Sequence, residues 1–204
     1  MKIAIIDYGM GNIHSVAKSI QVCGVEPIIT NKKSEISLAD KIILPGVGAF
    51  DDAMLELKKL DLINVILQQV NDKKPFLGIC LGMQLLLESS QEAKINKGLG
   101  ILRGQVVKFT SLAGLKVPHM GWNDCKVVAK DCRLLDGVRG ASQVYFCHSY
   151  YPQPVDKSVI AATCSYGLEF ACVLAQDNIY GVQFHPEKSQ AIGLKIIKNF
   201  VQLC

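Results

Sequence analysis

Aromatic residues are scarce in this sequence, neither charge dominates, and no apolar run is long. Only 7% of the 204 residues are aromatic, and tryptophan occurs once, at Trp122. Basic side chains exceed acidic ones by 22 to 18, a net charge of +4, and the lysine pairs at 32–33, 58–59 and 73–74 stand apart with no aromatic residues between them. That pattern describes solvated faces and argues against nucleic acid as a partner. No apolar stretch has the length of a membrane span, and Met1-Lys2 leads straight into a strand, without the apolar segment and cleavage site of a secretion signal. The expectation is a cytoplasmic protein without membrane association.

Cysteine is plentiful, but paired cysteine is missing. The eight cysteines, at 23, 80, 125, 132, 147, 164, 172 and 204, form no C-x-x-C and no histidine-bearing zinc spacing. Neither a disulfide framework nor a metal site is expected, and no organic cofactor is indicated. Most of the eight read as small buried hydrophobes, so an active one must be found by its neighbours. At 50% hydrophobic residues the chain suits one globular domain, 1–204, whose core needs no staples. No repeat, low-complexity tract or linker divides it.

Residues 3–7, IAIID, read as a buried strand, and Ile13, Val16, Ala17 and Ile20 recur at helical spacing until Gly24 supplies a stop. VEPIIT (25–30) and DKIILP (40–45) read as the next strands, followed by a GVG turn and a helix over 51–60. Continuous apolar strands alternating with amphipathic helices require a sheet covered on both sides. The expected fold class is therefore α/β, a doubly wound, mostly parallel central sheet with helices on both faces. From about residue 99 to 184 the pattern changes to strand-like segments, ILRGQVVKF, WNDCKVVA, QVYFCHSYY, SVIAATCSY and NIYGVQF, separated by turns. These predict an added, partly antiparallel strand set. A last helix with Ile192, Ile196, Ile197, Phe200 and Val201 on one side closes the chain.

Ligands of such sheets bind beyond the carboxyl ends of the strands. Three segments end there with capable residues: LPGVG after Leu44, GICLG after Ile79 and FHPE after Phe184. In GICLG, Cys80 stands at an expected strand-to-helix turn between Gly78 and Gly82. Such a turn lifts a side chain above the sheet and opens on backbone N–H groups, a setting that favours a thiolate nucleophile. The glycines would leave room for a tight turn and a close substrate. A buried structural cysteine is the alternative, and the G-x-C-x-G frame outweighs it. A thiol nucleophile needs a base, and the base an orienting group. His185 and Glu187 in FHPE supply that pair, against the plainer possibility of a strand cap and a surface acid. Attack on an acyl carbon also needs two backbone donors for its oxygen. Leu81, first in the helix, and Val47 in PGVG, whose flanking glycines permit a peptide rearrangement, are the candidates.

PGVGAF, GICLGMQ and FHPEKS, in this order and spacing, resemble the class I (triad) glutamine amidotransferases, whose glutaminase domains hydrolyse glutamine and pass ammonia to a synthase. Within that family, DYGMGN, VPHMGWN, HSYY and HPEKS closely resemble glutaminase subunits that serve a separate (β/α)8 cyclase in histidine biosynthesis. The resemblance implies a thioester on Cys80, His185 as general acid and base, and Glu187 as its orienting group. It implies glutamine as substrate, held by Gln84, Gly46 and Gly48 and by the backbone around Ser149 and Tyr150. It also implies a heterodimer with the cyclase through Asn12, Met120, Trp122 and Lys188, with Asn12 near the ammonia path and Lys188 paired with an acid of the partner. GMGN is not a dinucleotide fingerprint, since His14 stands where the third glycine is required. A paralogous glutaminase feeding another synthase, such as one aminating a sugar for a surface polysaccharide, would carry the same motifs and stays open.

Overall fold

The computed structural model of the chain describes residues 1–110 and 115–204. β1 (Ile3–Ile6) is buried along its whole length, as a central parallel strand covered on both faces must be. α1 (Ile13–Val22) turns Val16, Ala17 and Ile20 inward, and Gly24, at φ +83°, leads the chain out in the left-handed conformation that glycine adopts without strain. β2 (Ile28–Thr30) starts only after Pro27, which has no N–H to give a ladder. α2 (Lys33–Ser37), β3 (Lys41–Gly46), α3 (Phe50–Lys59), α4 (Ile63–Asn71) and β4 (Phe76–Cys80) complete the first half. α3 carries Asp51 and Asp52 in its first turn and Lys58 and Lys59 in its last, complementing the helix dipole. The sequence pattern does not announce α2 or α4. α2 is very short, and in α4 the buried Gln69 interrupts the apolar stripe of Ile66 and Val70.

After Cys80 the helix lasts one turn, α5 (Leu81–Gln84), and the chain then enters β5 (Leu87–Ser90). Leu85, Leu86 and Leu87 are all fully buried, which leaves a longer helix no solvent face. The Leu85 and Leu86 carbonyls instead accept the N–H groups of Leu99 and Leu102. β6 (Leu102–Lys108) and β7 (His119–Val127) follow. QVYFCHSYY is two strands rather than one, β8 (Ala141–His148) and β9 (Tyr150–Pro154), which part at Ser149 into different sheets. β10 (Ile160–Ser165), β11 (Glu169–Gln176), β12 (Ile179–Val182) and α6 (Gln190–Gln202) close the chain. β11 shows no alternation in sequence because its central residues are buried on both faces.

Nine strands form one sheet in the order β2-β1-β3-β4-β12-β11-β10-β7-β8, and β5-β6-β9 form a second. The ladders are parallel from β2 to β12 and antiparallel from β12 to β8. The antiparallel addition thus continues the main sheet. On one face Ile3 and Ile5 pack in a cluster with Val16 and Ile20 of α1 and Ile196 and Phe200 of α6. On the other, Ala4 and Ile6 join Phe50, Leu57 and Ile66 of α3 and α4. Two cores on either side of one sheet hold its middle strands rigid, and β3, β4 and β12 are neighbours there with Gly46 opposite Cys80 and Val182 opposite Ile79. All eight cysteines are free. Among the described residues no helix is long and apolar enough to cross a membrane, and no group of three or more His, Cys, Asp or Glu could hold a metal ion.

Candidate active site

Cys80 ends β4 at φ +54°, ψ −110°, a conformation that L residues rarely adopt. Its glycine neighbours let the chain hold it. A Cβ on Gly82 would stand 1.9 Å from the Leu44 carbonyl oxygen on β3, and one on Gly78 would stand 2.6 Å from the Gly82 carbonyl oxygen. The glycines therefore serve the tight turn that the sequence pattern suggests and its packing against β3. α5 is also too short to bring a helix dipole to the thiol. What it offers a developing anion is the N–H of its first residues.

His185 follows β12 and is 4% exposed. Its N–H donates to the Tyr145 carbonyl at 2.9 Å, and its carbonyl accepts the Ser189 hydroxyl at 2.6 Å, so the backbone is fixed on both sides. Residues 186–188 then form a single 3-10 turn that brings Glu187 Oε1 to 2.9 Å from His185 Nδ1. The Glu187 side chain is buried, Asn12 Nδ2 donates to the same Oε1 at 3.3 Å, and Oε2 has no partner among the described residues. Burial alone would lower the pKa of His185. Hydrogen bonds to Cys80 and Glu187, with the charge of both, outweigh it and push the imidazole up to about 10. The ring thus meets the Glu187 carboxylate directly and lines the same cavity as the Cys80 thiol.

A cavity of about 310 Å³ opens beside this group, its lining including Val47, Cys80, Leu81, Gln84, Glu92, His148, Tyr150, His185 and Lys188, with Gly48 and Ser149 also on its wall. Its size sits at the small end of ligand pockets. Leu81 is buried and Val47 exposed, and both border the space above Cys80. Gly46 lies behind it, where a Cβ would meet the Tyr8 hydroxyl at 2.7 Å and the Gly82 nitrogen at 2.9 Å. Tyr8 donates its hydroxyl to the Pro45 carbonyl at 2.9 Å, tying the PGVG segment to β1's exit. Gln84 Nε2 donates to the Tyr150 carbonyl at 2.9 Å and to Gln183 Oε1 at 3.1 Å. Two side chains absent from the sequence reading belong here. Gln183 Nε2 stands 3.8 Å from Cys80 Sγ. Glu92 places a carboxylate on the cavity wall while accepting the Phe50 N–H at 2.9 Å; burial raises its pKa, that N–H lowers it, and Asp51 and Asp52 raise it again. Neither lies in a motif, and no sequence signal marks them.

A larger groove of about 800 Å³, lined by Val127, Cys132, Arg133 and Leu203 among others, shares no residue with this cavity and contains no histidine. On and before β7, Met120 and Trp122 are 61% and 46% exposed, with Val117 also outside. Trp122 meets Tyr145 edge to face at 6.0 Å, and Lys188 Nζ lies 5.7 Å over the same Tyr145 ring. Met120, Trp122 and Lys188 thus share one face. Asn12 is half-buried, and its amide donates to Glu187.

A thiol, an imidazole and a carboxylate gathered at the carboxyl edge of a doubly wound sheet are the parts of a nucleophilic cysteine site: a nucleophile, a base and its orienting group. Residues 4–203 match the family described as glutamine amidotransferase class-I, and the chain belongs to that family. It is 48% identical to imidazole glycerol phosphate synthase subunit HisH of Geobacter sulfurreducens over 207 residues, 99% of each chain. It is 50% identical to the subunit of that name in Methanocaldococcus jannaschii, over 98% of this chain and 99% of that one. Among solved structures, a glutamine amidotransferase superposes with a TM-score of 0.76 at 16% identity, covering 98% of this chain and 97% of that one. PurLQS from Thermotoga maritima gives 0.74 at 18%, covering 98% and 95%. These two speak for the fold alone.

Proposed function

We propose that the chain is a one-domain glutaminase subunit of imidazole glycerol phosphate synthase. It acts in the cytoplasm as a heterodimer with a separate (β/α)8 cyclase of the HisF type. One observation carries this reading: a chain alike over its whole length to subunit HisH sets Cys80 and His185 on the wall of one small cavity, with Glu187 hydrogen-bonded to His185.

In this mechanism the proton given up by Cys80 already lies on His185, whose pKa is raised, as the sulfur bonds to the carboxamide carbon of glutamine. The carbonyl electron pair moves to oxygen, where the Leu81 N–H receives it, joined by the Val47 N–H once the Gly46–Val47 peptide rotates. Collapse breaks the C–N bond, and His185 protonates the departing nitrogen to give ammonia and a γ-glutamyl thioester. Water then attacks the thioester, His185 takes its proton and returns it to sulfur, and glutamate leaves. Glu187 holds the imidazole by Nδ1 throughout, and Glu92 faces the substrate's α-ammonium from the wall. Ammonia in neutral water is mostly protonated and useless as a nucleophile. Docking of the cyclase on Met120, Trp122 and Lys188 therefore closes the site and delivers the ammonia directly.

The test is glutamate release from glutamine by the purified chain, alone and with the cyclase and its nucleotide intermediate. A large rise with the partner that disappears in Cys80→Ala supports the reading. Hydrolysis that survives Cys80→Ala overturns the mechanism, and Cys80-dependent hydrolysis indifferent to this cyclase points to another synthase.

A further inference from the structure

Two buried histidines outside the catalytic triad form a chain with one direction. His148 Nδ1 lies 2.8 Å from the Tyr150 carbonyl, which can only accept, so that nitrogen carries the proton and Nε2 of the neutral ring is an acceptor. His119 Nδ1, 3.1 Å from His148 Nε2, must then be the donor, which leaves His119 Nε2 as an acceptor. Asn123 Nδ2 meets it at 3.2 Å and spends its other hydrogen on the Ser165 carbonyl at 2.9 Å. Every link is satisfied with both rings uncharged, and no second arrangement of protons satisfies all of them.

Each end of the chain lies at a place of consequence. The Tyr150 carbonyl also receives the Gln84 amide, which bonds Gln183 beside Cys80. At the other end, Asn123 follows Trp122 on β7 in the strand that carries the exposed apolar rim. The hydrolytic steps above make no use of His119 or Asn123.

We propose that His119 and Asn123 are positioning residues, which through His148 fix the Tyr150 carbonyl and the Gln84 amide at the wall that holds the amino-acid part of glutamine, and so tie its fit to the docking strand. This rests on the glutaminase reading.

Two reagents separate fit from thiol chemistry. The electrophile 6-diazo-5-oxo-norleucine is shaped like glutamine and must occupy the cavity to alkylate Cys80, whereas iodoacetamide needs only the thiol and its base. His119→Phe keeps a flat ring between Phe146 and Tyr166, its stacking partners at 4.7 and 4.0 Å, but cannot donate to His148. It should require about tenfold more of the glutamine analogue for half-maximal labelling, raise KM for glutamine by a similar factor in the complex, and react with iodoacetamide as before. His119→Asn, which returns an N–H near the Nδ1 position, should recover most of the loss. Asn123→Leu, at a half-buried site where folding is not at stake, should show the same selective loss to a smaller degree.

Equal loss toward both reagents in His119→Phe would mean general damage, and Asn123→Leu then decides. Selective loss there supports the proposal, and none overturns it. Variants that label and turn over like the parent also overturn it, provided the parent is a Cys80-dependent glutaminase. A parent that hydrolyses no glutamine even with the cyclase would instead sink the glutaminase reading itself.

Discussion

Acid should destabilise this fold by an amount that can be worked out from its histidines. Burial lowers the pKa of His119 to about 4. It also lowers that of His148 to about 3, helped by the neighbouring His119 and His185 and opposed by the Tyr150 carbonyl. Both lie below the ordinary 6.5, so the unfolded chain binds protons that the folded one refuses. The stability they contribute is complete above pH 6.5 and is lost as pH falls toward the folded values. Between pH 7.5 and 5 each ring accounts for roughly 1.4 to 1.5 pH units, which for the pair is about 4 kcal/mol. His185 acts oppositely: raised to about 10, it stabilises fully below pH 6.5 and loses its contribution as pH rises toward 10. Over the same interval it returns about 1.4 kcal/mol, and the net loss is about 2.5 kcal/mol. That is a large share of the stability of a typical domain, roughly 5–15 kcal/mol. Urea denaturation at the two pH values measures it. His119→Phe removes one of the two rings, so its loss on acidification should be smaller than the parent's by about 2 kcal/mol. Equal losses in the two proteins would refute the assignment of the acid sensitivity to these rings.

Three further outcomes are expected. Gly82→Ala drives a Cβ into the Leu44 carbonyl oxygen at 1.9 Å, where backbone must move, and should cost about 3 kcal/mol in chemical denaturation and abolish glutamine hydrolysis. Glu187→Gln removes the buried charge beside His185, so nitrogen-15 NMR of the imidazole should show it losing its proton at a lower pH than the parent's value of about 10, with kcat reduced by about 100-fold or more. Trp122→Ala should weaken cyclase binding by about 2 kcal/mol, read by titration calorimetry, with little change in Tm because the side chain is 46% exposed.

The chemistry-bearing strands were legible because each is a short apolar run ending in an unusual cluster: PGVG, GICLG and FHPE. Periodicity could not separate what is buried on all sides. Leu85 to Leu87 look helical and become the entry to β5, and β11 hides in a continuous apolar run. The turn at Ser149 was invisible because both of its flanks are strand-like, and only the second sheet explains it. Within the site, motif residues were readable, whereas Glu92 and Gln183 reach it from places that sequence order does not connect to Cys80. Asn12 stands out in sequence as part of a turn, but its bond to Glu187 depends on residues 175 apart coming together.

β3, β4 and β12 lie side by side with their ends level. Neighbouring strands are about 4.8 Å apart wherever they pair, so the pitch of the sheet spaces the strand ends from which Val47, Cys80 and His185 are carried, and Tyr145 and Ser189 fix His185 beyond its strand. Connections remote from these contacts are then at liberty to lengthen, shorten or take on a new docking surface without moving the reacting groups relative to one another. A scaffold of this kind can change the synthase it feeds by remodelling its borders while the hydrolytic centre stays as it is.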